Sequence, residues 1–416
     1  MSVLQTRAYR ALRQRGPRQF WRDGVAHLAE EYLGPHLRTA FEHRTLRENA
    51  LAECCATDGT FFEYYDTEES YTLDLPTVPN GYTGDVYNWM IETYASGMTI
   101  DAPYVCELSD VTLVGPDAVP IKDDRYVFEN CLESTKRLSA SCLEALGEGT
   151  LPIGSRWLRP ERQFDTVVSL VGPWTNNYTH WFQDYLARLE GLEHYRAKTG
   201  INPDVLIPSN ASSWMCDALR SVGYGPEQWI EWDGGRASVD RLVVSSIRRE
   251  SRERALNRRI VYSPTGIRWV RNRILSSIDT ERTVPHSNRV YISRSNALTR
   301  RVRNEDDVMT LLTDWGFERY RTEELSLAEQ VTLFSNADAI VAPHGSGLMN
   351  QIFADDAVVI ELMGKKQTVT TPATEYFYAE LLGHEYGCVP GQAVGDDLRT
   401  DVSGLAVVLE TLLDEA

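Results

Sequence analysis

The chain has 416 residues and a formal net charge of −18 at neutral pH, which allows two domains with full cores and excludes general nucleic-acid binding. Lysine is confined to Lys122, Lys136, Lys198, Lys365 and Lys366, and arginine supplies the rest of the 42 basic residues; this acidic, lysine-poor surface suits a salt-loving cell such as a halophilic archaeon, and equally an ordinary acidic cytosolic protein. The seven cysteines include no C-x-x-C pair and are odd in number, which argues against a disulfide framework or structural zinc and for a reducing interior; with no membrane-spanning apolar run and no signal-peptide core, the expected location is the cytoplasm, with any membrane contact peripheral.

Residues 1–22 carry Arg7, Arg10, Arg13, Arg15, Arg18 and Arg22 and no acid, with Val3, Leu4, Tyr9, Leu12, Phe20 and Trp21 between them. Such a segment can lie on the anionic inner face of a membrane, or dock on the acidic body or stay solvated; Gly16-Pro17 interrupts any continuous helix. Residues 1–60 read as a helical N-terminal extension and 61–75 as irregular and aromatic. Between 111 and 131, short apolar runs alternate with turns, as in an antiparallel entry to the first domain. Buried strands are predicted at 166–171, 205–208 and 241–244, and helices at 178–198 and 212–221. The arginine-rich stretch 248–259 reads as an exposed inter-domain connection. Then follow a helix at 265–278, a strand at 289–294, helices at 305–314 and 327–335, and a strand at 339–342 stopped by Pro343. The glycine loop His344, Gly345, Ser346, Gly347 comes next, with Leu348, Ile352 and Phe353 at helical spacing after it. A strand at 358–360 ends on Glu361, and helices close the chain at 374–382 and 402–413. Two alternating halves predict an α/β protein of two Rossmann-like, doubly wound domains facing a cleft, 61–255 and 256–416.

Three constellations carry chemistry. In Asn176-Asn177-Tyr178-Thr179-His180-Trp181-Phe182-Gln183-Asp184, His180 and Asp184 share a helix face. Asp184 either orients the imidazole or is itself the base; the plain alternative is a capping histidine with an ordinary partner. In the run from Ser293 to Glu305, Arg294, Arg300 and Arg301 follow a strand end and can clamp phosphates. Asn304 is a fair N-cap, and Glu305 suits the first turn of the next helix. The third constellation is the His344 loop with Asn350 and Glu361. A glycine loop feeding a helix N-terminus suits an anion, Ser346 can cap that helix, and Glu361 can accept hydrogen bonds from a ribose diol or pair with an arginine. No Asp-x-Asp occurs in the chain, so arginines and helix dipoles would neutralise a diphosphate without a metal.

The run Val290-Tyr291-Ile292-Ser293-Arg294, with Arg300-Arg301, Asn304-Glu305, Gly316-Phe317-Glu318, Leu327-Ala328-Glu329-Gln330, the Pro343 to Asn350 loop, Phe353 and Ile360-Glu361, resembles glycosyltransferase family 61. The Asn177 to Asp184 run resembles that family's tyrosine–histidine–tryptophan segment. The likeness covers roughly 166–387; Ser346 stands where relatives often carry alanine. It implies a GT-B fold and an inverting, metal-independent transfer without cofactor, from a nucleotide-sugar donor, UDP-linked by expectation, to a glycan or lipid-linked glycan acceptor in cell-surface polysaccharide or glycoprotein synthesis. By this resemblance Arg294 and one of Arg300 or Arg301 hold the diphosphate, the His344 loop approaches it and Glu361 holds the ribose. The acceptor side would be Asn176, Asn177, Tyr178 and Trp181, with His180 or Asp184 as base. A silent glycan-binding scaffold of the same fold, or a sugar-nucleotide epimerase, are the alternatives.

Overall fold

The computed structural model describes residues 44–73, 76–79, 97–132, 134–150, 162–249, 261–279, 287–364 and 374–413. The basic segment 1–22 and the arginines at 250–259 lie outside these residues. The described chain divides into an N-terminal unit, up to 69 and from 100 to 249, and a C-terminal unit, drawn from 70–99 and from 261 onward.

The N-terminal unit runs β1 (Thr45–Leu46), α1 (Glu48–Asp58) and β2 (Phe62–Tyr64); β3 (Glu69–Tyr71) and β4 (Met98–Ile100) pair in a small separate sheet. It continues with β5 (Tyr104–Val114), β6 (Val119–Lys122), β7 (Arg125–Val127), α2 (Thr135–Gly147) and β8 (Arg162–Ser169). Helix α3 (178–199) leads to β9 (Asp204–Pro208), α4 (Ser213–Ser221), β10 (Trp229–Trp232) and β11 (Arg236–Ser245). The main sheet has the order β1-β7-β6-β5-β11-β8-β9-β10, with β2 also on β5. Only β11-β8-β9-β10 and the β1–β7 pair are parallel; β5 pairs antiparallel with β2, β6 and β11. The sheet is therefore mixed, and the doubly wound expectation applies to one flank of it.

Two local readings change. The described end of the expected extension is part of the core, because Leu51, Cys54 and Cys55 of α1 pack with Cys106 and Leu108 of β5. The aromatic stretch after residue 61 forms strands, since Phe62 stacks on Tyr104 with ring centroids 5.2 Å apart. Helix α3 widens to a π turn over Trp181–Tyr185, and all five side chains of that turn are buried; such turns recur at functional sites.

The C-terminal unit contains α5 (Pro264–Ser277), β12 (Arg289–Ile292), α6 (Glu305–Asp314), β13 (Glu318–Tyr320), α7 (Leu327–Ser335) and β14 (Ala339–Pro343). A 3-10 helix (Ser346–Phe353), β15 (Val358–Gly364), α8 (Thr374–Leu382), β16 (Glu385–Val394), β17 (Asp397–Arg399) and α9 (Val402–Leu413) complete it. The sheet order is β13-β12-β14-β15-β16-β17, parallel throughout except for the β16–β17 hairpin. After β13 the chain crosses to the other side of β12 to make β14. Such a reversal opens a crevice at the carboxyl ends of the two central strands, where open α/β sheets bind ligands. Arg294 follows β12 there, and His344 follows β14. Helix α7 begins with a reciprocal capping box between Ser326 and Glu329. Thr77, expected in the first domain, instead joins this unit, accepting from the Cys388 amide at 2.8 Å and donating to the Tyr386 carbonyl at 3.0 Å.

Strand β15 extends past Glu361 to Gly364, so Glu361 sits within the strand opposite Ala342 and Cys388 rather than at its end. The run Leu362-Met363 is apolar and buried on both faces, which continues the strand. Among the described residues no helix is long and apolar enough to cross a membrane.

Where β16 passes β17, a β-carbon on Gly391 would lie 2.5 Å from the Arg399 carbonyl oxygen. That oxygen belongs to the backbone and cannot rotate away. Gly391→Ala should lower unfolding free energy by about 1–3 kcal/mol, the usual cost of overpacking. A urea midpoint equal to that of the parent chain would refute this reading.

Candidate functional site

The C-terminal cluster assembles at the β12/β14 crevice. His344 follows β14, and its backbone N–H donates to the Leu362 carbonyl at 3.1 Å. Its Nδ1 hydrogen-bonds Glu361 Oε1, and Glu361 Oε2 accepts from the Tyr386 hydroxyl. Glu361 is wholly buried and both its oxygens are engaged. Glu361 therefore fixes the orientation of the imidazole. An Nδ1–H donated to that carboxylate leaves Nε2 as the working nitrogen.

Arg294 lies against the loop so closely that a β-carbon on Gly345 would collide with its Nη1. Gly345 has φ +154°, a conformation that favours glycine. Among the described residues Arg294 makes one long bond, from Nη2 to the Thr299 carbonyl at 3.4 Å, and its buried Nε has no partner. Burial, and then the charge of Arg300, pull the Arg294 guanidinium down to about 10. Arg300 is likewise lowered by burial, against the opposing pull of Glu375 and Glu361. Arg300 has φ +61°, unusual for a non-glycine residue and of a kind that clusters at functional sites. Neither arginine has a carboxylate within ion-pair distance among the described residues.

Arg301, by contrast, binds Asp397 twice, Nη2 to Oδ2 at 2.6 Å and Nε to Oδ1 at 3.2 Å, and Arg303 joins the same carboxylate at 2.7 Å. Of the two neighbours, Arg301 is thus paired within the protein, and Arg300 has no such carboxylate among the described residues. Asn304 does not cap α6 with its side chain; its amide holds the Thr400 backbone through bonds of 3.0 and 2.9 Å. Glu305 accepts from Ser293 at 2.7 Å and Tyr291 at 3.0 Å. Asn350 is buried and donates to Gln330 at 2.9 Å. Ser346 is half-buried and does not cap the following helix, whose N-cap is Gly345. Gly347 sits on Ile292, the last residue of β12. These residues build the crevice more than they face into it.

In the N-terminal unit, His180 Nδ1 lies 2.5 Å from Asp184 Oδ2, and Asp184 Oδ1 pairs with Arg249 Nη1 at 3.1 Å. Asp184 is 0 % exposed, whereas the His180 side chain is 16 % exposed. Burial by itself pushes the Asp184 carboxyl up; Arg249 and the His180 bond more than offset that and hold it below the usual carboxylate range. His180 Nε2 has no hydrogen-bond partner among the described residues. Asn177 Oδ1 accepts from the His180 N–H at 3.3 Å and starts the helix. Tyr178 packs on Phe182 and Trp214 at 4.8 and 5.0 Å. Asn176 is exposed, but Trp181, expected on the acceptor side, is wholly buried. The widened turn carries its ring into the core beside Tyr185, beyond the reach of any acceptor. Exposed Trp174, with φ +64°, covers the imidazole at 4.6 Å.

Four buried residues escaped the sequence reading. Arg248 and Arg249 were expected to be exposed, yet both are buried directly after β11. The signal was there: an arginine placed just after a buried strand, as Arg294 is. Glu375 reads as an ordinary acid in a first helical turn, and Tyr386 as a core aromatic; nothing local marks either.

Residues 178–360 match the family model described as Glycosyltransferase 61, which supports a glycosyltransferase. A comparison with the curated proteins finds no match.

Arg249→Met should strand the buried Asp184 carboxylate and cost about 3–5 kcal/mol near neutral pH. In the parent chain the depressed carboxyl gives stability that is present above its unfolded value and lost as pH falls through its folded one. In the variant its folded value is raised, so protonation relieves the charge and the gap between the two proteins should close on acidification. Urea titrations from pH 7 to pH 4 test this; a gap that stays constant would show that Asp184 is not the group left unpaired.

Proposed function

From the glycosyltransferase family 61 assignment of residues 178–360 we propose an inverting, metal-independent transfer of a sugar from a nucleotide diphosphate to a glycan hydroxyl, on a GT-B fold. The C-terminal unit would bind the donor and the N-terminal unit the acceptor. The observation that carries this reading is the Arg294–Arg300 pair at the β12/β14 crevice, two desolvated guanidiniums with no carboxylate of their own. A nucleoside diphosphate supplies the missing charge through bidentate, charge-assisted bonds. His344, held by Glu361, would donate from Nε2 to the leaving phosphate oxygen.

In the chemical step the acceptor oxygen attacks the anomeric carbon in line. Its proton passes to His180 Nε2, the bond from that carbon to the diphosphate oxygen breaks, and the nucleoside diphosphate leaves with both electrons. Burial of Asp184, clamped between His180 and Arg249, favours His180 as the base and Asp184 as its orienting partner. Charge on the leaving group is met by Arg294, Arg300 and His344, the kind of fixed electrostatic stabilisation that dominates such transfers. The residues present are sufficient for this account without Asp-x-Asp, and turnover should persist in EDTA.

Donor binding separates the arginines. Arg294→Ala and Arg300→Ala should each weaken binding of a UDP-sugar by about 1.5–3 kcal/mol, the worth of a hydrogen bond to a charged group. Arg301→Ala should lower the melting temperature and leave affinity nearly intact. Calorimetry in which Arg301→Ala hurts binding as much as Arg300→Ala would reverse the assignment.

The transfer rate separates the base from its partner. His180→Ala should cost about 10²–10⁴-fold in kcat with donor affinity unchanged. Asp184→Asn combined with His180→Ala should add little more, because residues acting as a unit are not additive. If each single variant turns over at the parent rate, His180 is only a capping residue.

A further inference from the structure

Glu375 is used by nothing described so far. It stands in the first turn of α8 and is 4 % exposed. Its Oε1 is 4.0 Å from His344 Nδ1, too far for a hydrogen bond, and its buried Oε2 has no partner among the described residues. The charged groups around it come from three other elements: His344 after β14, Glu361 in β15, and Arg294 and Arg300 after β12. It is close enough to both arginines to interact with their charge, yet it makes an ion pair with neither. Tyr386, the other titratable group of this cluster, is already bound to Glu361. A buried carboxyl oxygen without a partner is destabilising, and such groups are rare enough in folded proteins to call for a role.

We propose that Glu375 is a positioning residue of the donor site that acts as a neutral acid, its Oε2–H donating a hydrogen bond to the phosphate oxygen held by Arg294 and Arg300. This rests on the reading of that pair as an anion site. A carboxylate there would repel the diphosphate and offset part of the attraction of the arginines. The protonated group removes the repulsion and also fills the open hydrogen-bonding position. Solvent supplies the proton, so diphosphate binding takes up to one proton from bulk when Glu375 is ionised beforehand. Burial first, with Glu361 adding to it and His344 and the arginines opposing, pushes the free carboxyl up to about 7. Binding should therefore be pH-independent below that value and weaken by up to tenfold per pH unit above it. The match to the family model ends at residue 360, so Glu375 lies outside the matched stretch.

The test is calorimetry on the full chain, with UDP-glucose as probe because its diphosphate does not titrate near neutrality. Titrations at pH 6, 7 and 8, in buffers of differing ionisation enthalpy, count protons. The parent chain should take up a growing fraction of a proton from pH 6 to pH 8 while its affinity falls. Glu375→Gln, whose amide can donate the same hydrogen bond, should keep the pH 6 affinity, take up fewer protons and hold its affinity at pH 8. Glu375→Ala should bind about tenfold more weakly at pH 6, with circular dichroism confirming the fold. Proton uptake unchanged in Glu375→Gln would assign the proton to His344 and overturn the proposal, as would Glu375→Ala binding like the parent. Sulfate, which does not titrate in this range, separates the two readings. Sulfate binding with Glu375-dependent uptake, but no UDP-glucose binding, would keep Glu375 and sink the nucleotide donor. Binding of neither would end both.

Discussion

Two like charges about 4 Å apart repel by about 4 kcal/mol at an effective dielectric constant near 20, and taking them out of water adds a desolvation penalty. Burial lowers both Arg294 and Arg300, and the charge of Arg300 lowers Arg294 further. A fold meets such a cost by placing a carboxylate between the charges, as it does for Arg301 with Asp397. At the β12/β14 crevice the nearest acids are diverted: Glu361 is bound by His344 and Tyr386, and burial keeps Glu375 partly neutral. The positive charge is thus left for an anion from outside. The rest of the C-terminal unit, from the Gly345 backbone to the Asn304–Thr400 clamp, holds this arrangement open.

Each unit contains a histidine oriented through Nδ1 by a buried carboxylate, but the second partner of that carboxylate differs. Asp184 is backed by Arg249, whose charge keeps the carboxyl ionised well into acid. Glu361 is backed by the Tyr386 hydroxyl, which brings no charge. The cation behind Asp184 keeps that carboxylate ionised, and through Oδ2 the carboxylate fixes the orientation of the His180 ring. Behind Glu361 no cation stands, and the carboxylate is shared between His344 Nδ1 and the Tyr386 hydroxyl. The two histidine–carboxylate pairs therefore differ in the charge of one neighbour.

Much of the C-terminal fold was legible in the sequence. Helices α6, α7, α8 and α9 have strong apolar periodicity or polar first turns, and their ends fall where Asn304, Ser326 and Asn336 mark them. The N-terminal sheet was less so, because alternation of strands and helices does not reveal that β5 inserts antiparallel between β6 and β11. Among site residues, Arg294, His344, His180 and Asp184 could be found because each stands beside a strand end or on a shared helix face. Trp181 was misplaced because ordinary 3.6-residue spacing does not anticipate a π turn. Glu361 was placed at a strand end because its neighbours Leu362 and Met363 carry no mark of burial on both faces. Arg249, Glu375 and Tyr386 depend on contacts between residues far apart in sequence, which no local pattern encodes.

Consecutive Arg300 and Arg301 show how backbone conformation decides function here. In an extended strand, neighbouring side chains leave opposite faces but stay on one line of backbone, and both could be drawn to Asp397. The left-handed φ of Arg300 breaks that line, at a cost of about 1–2 kcal/mol for a non-glycine residue. Its N–H is fixed on the Asp396 carbonyl at 2.7 Å, and the Arg301 N–H on Asp397 Oδ1 at 3.1 Å. Two backbone bonds and a bidentate ion pair hold Arg301 to the β16–β17 hairpin, which offsets the strain next to it. Arg300 is left with no acid of its own and turned toward Glu375 and Glu361, whose charges it feels. The strain and the unpaired charge thus have one source: the Asp397 brace, by binding one arginine, makes the other available to a ligand.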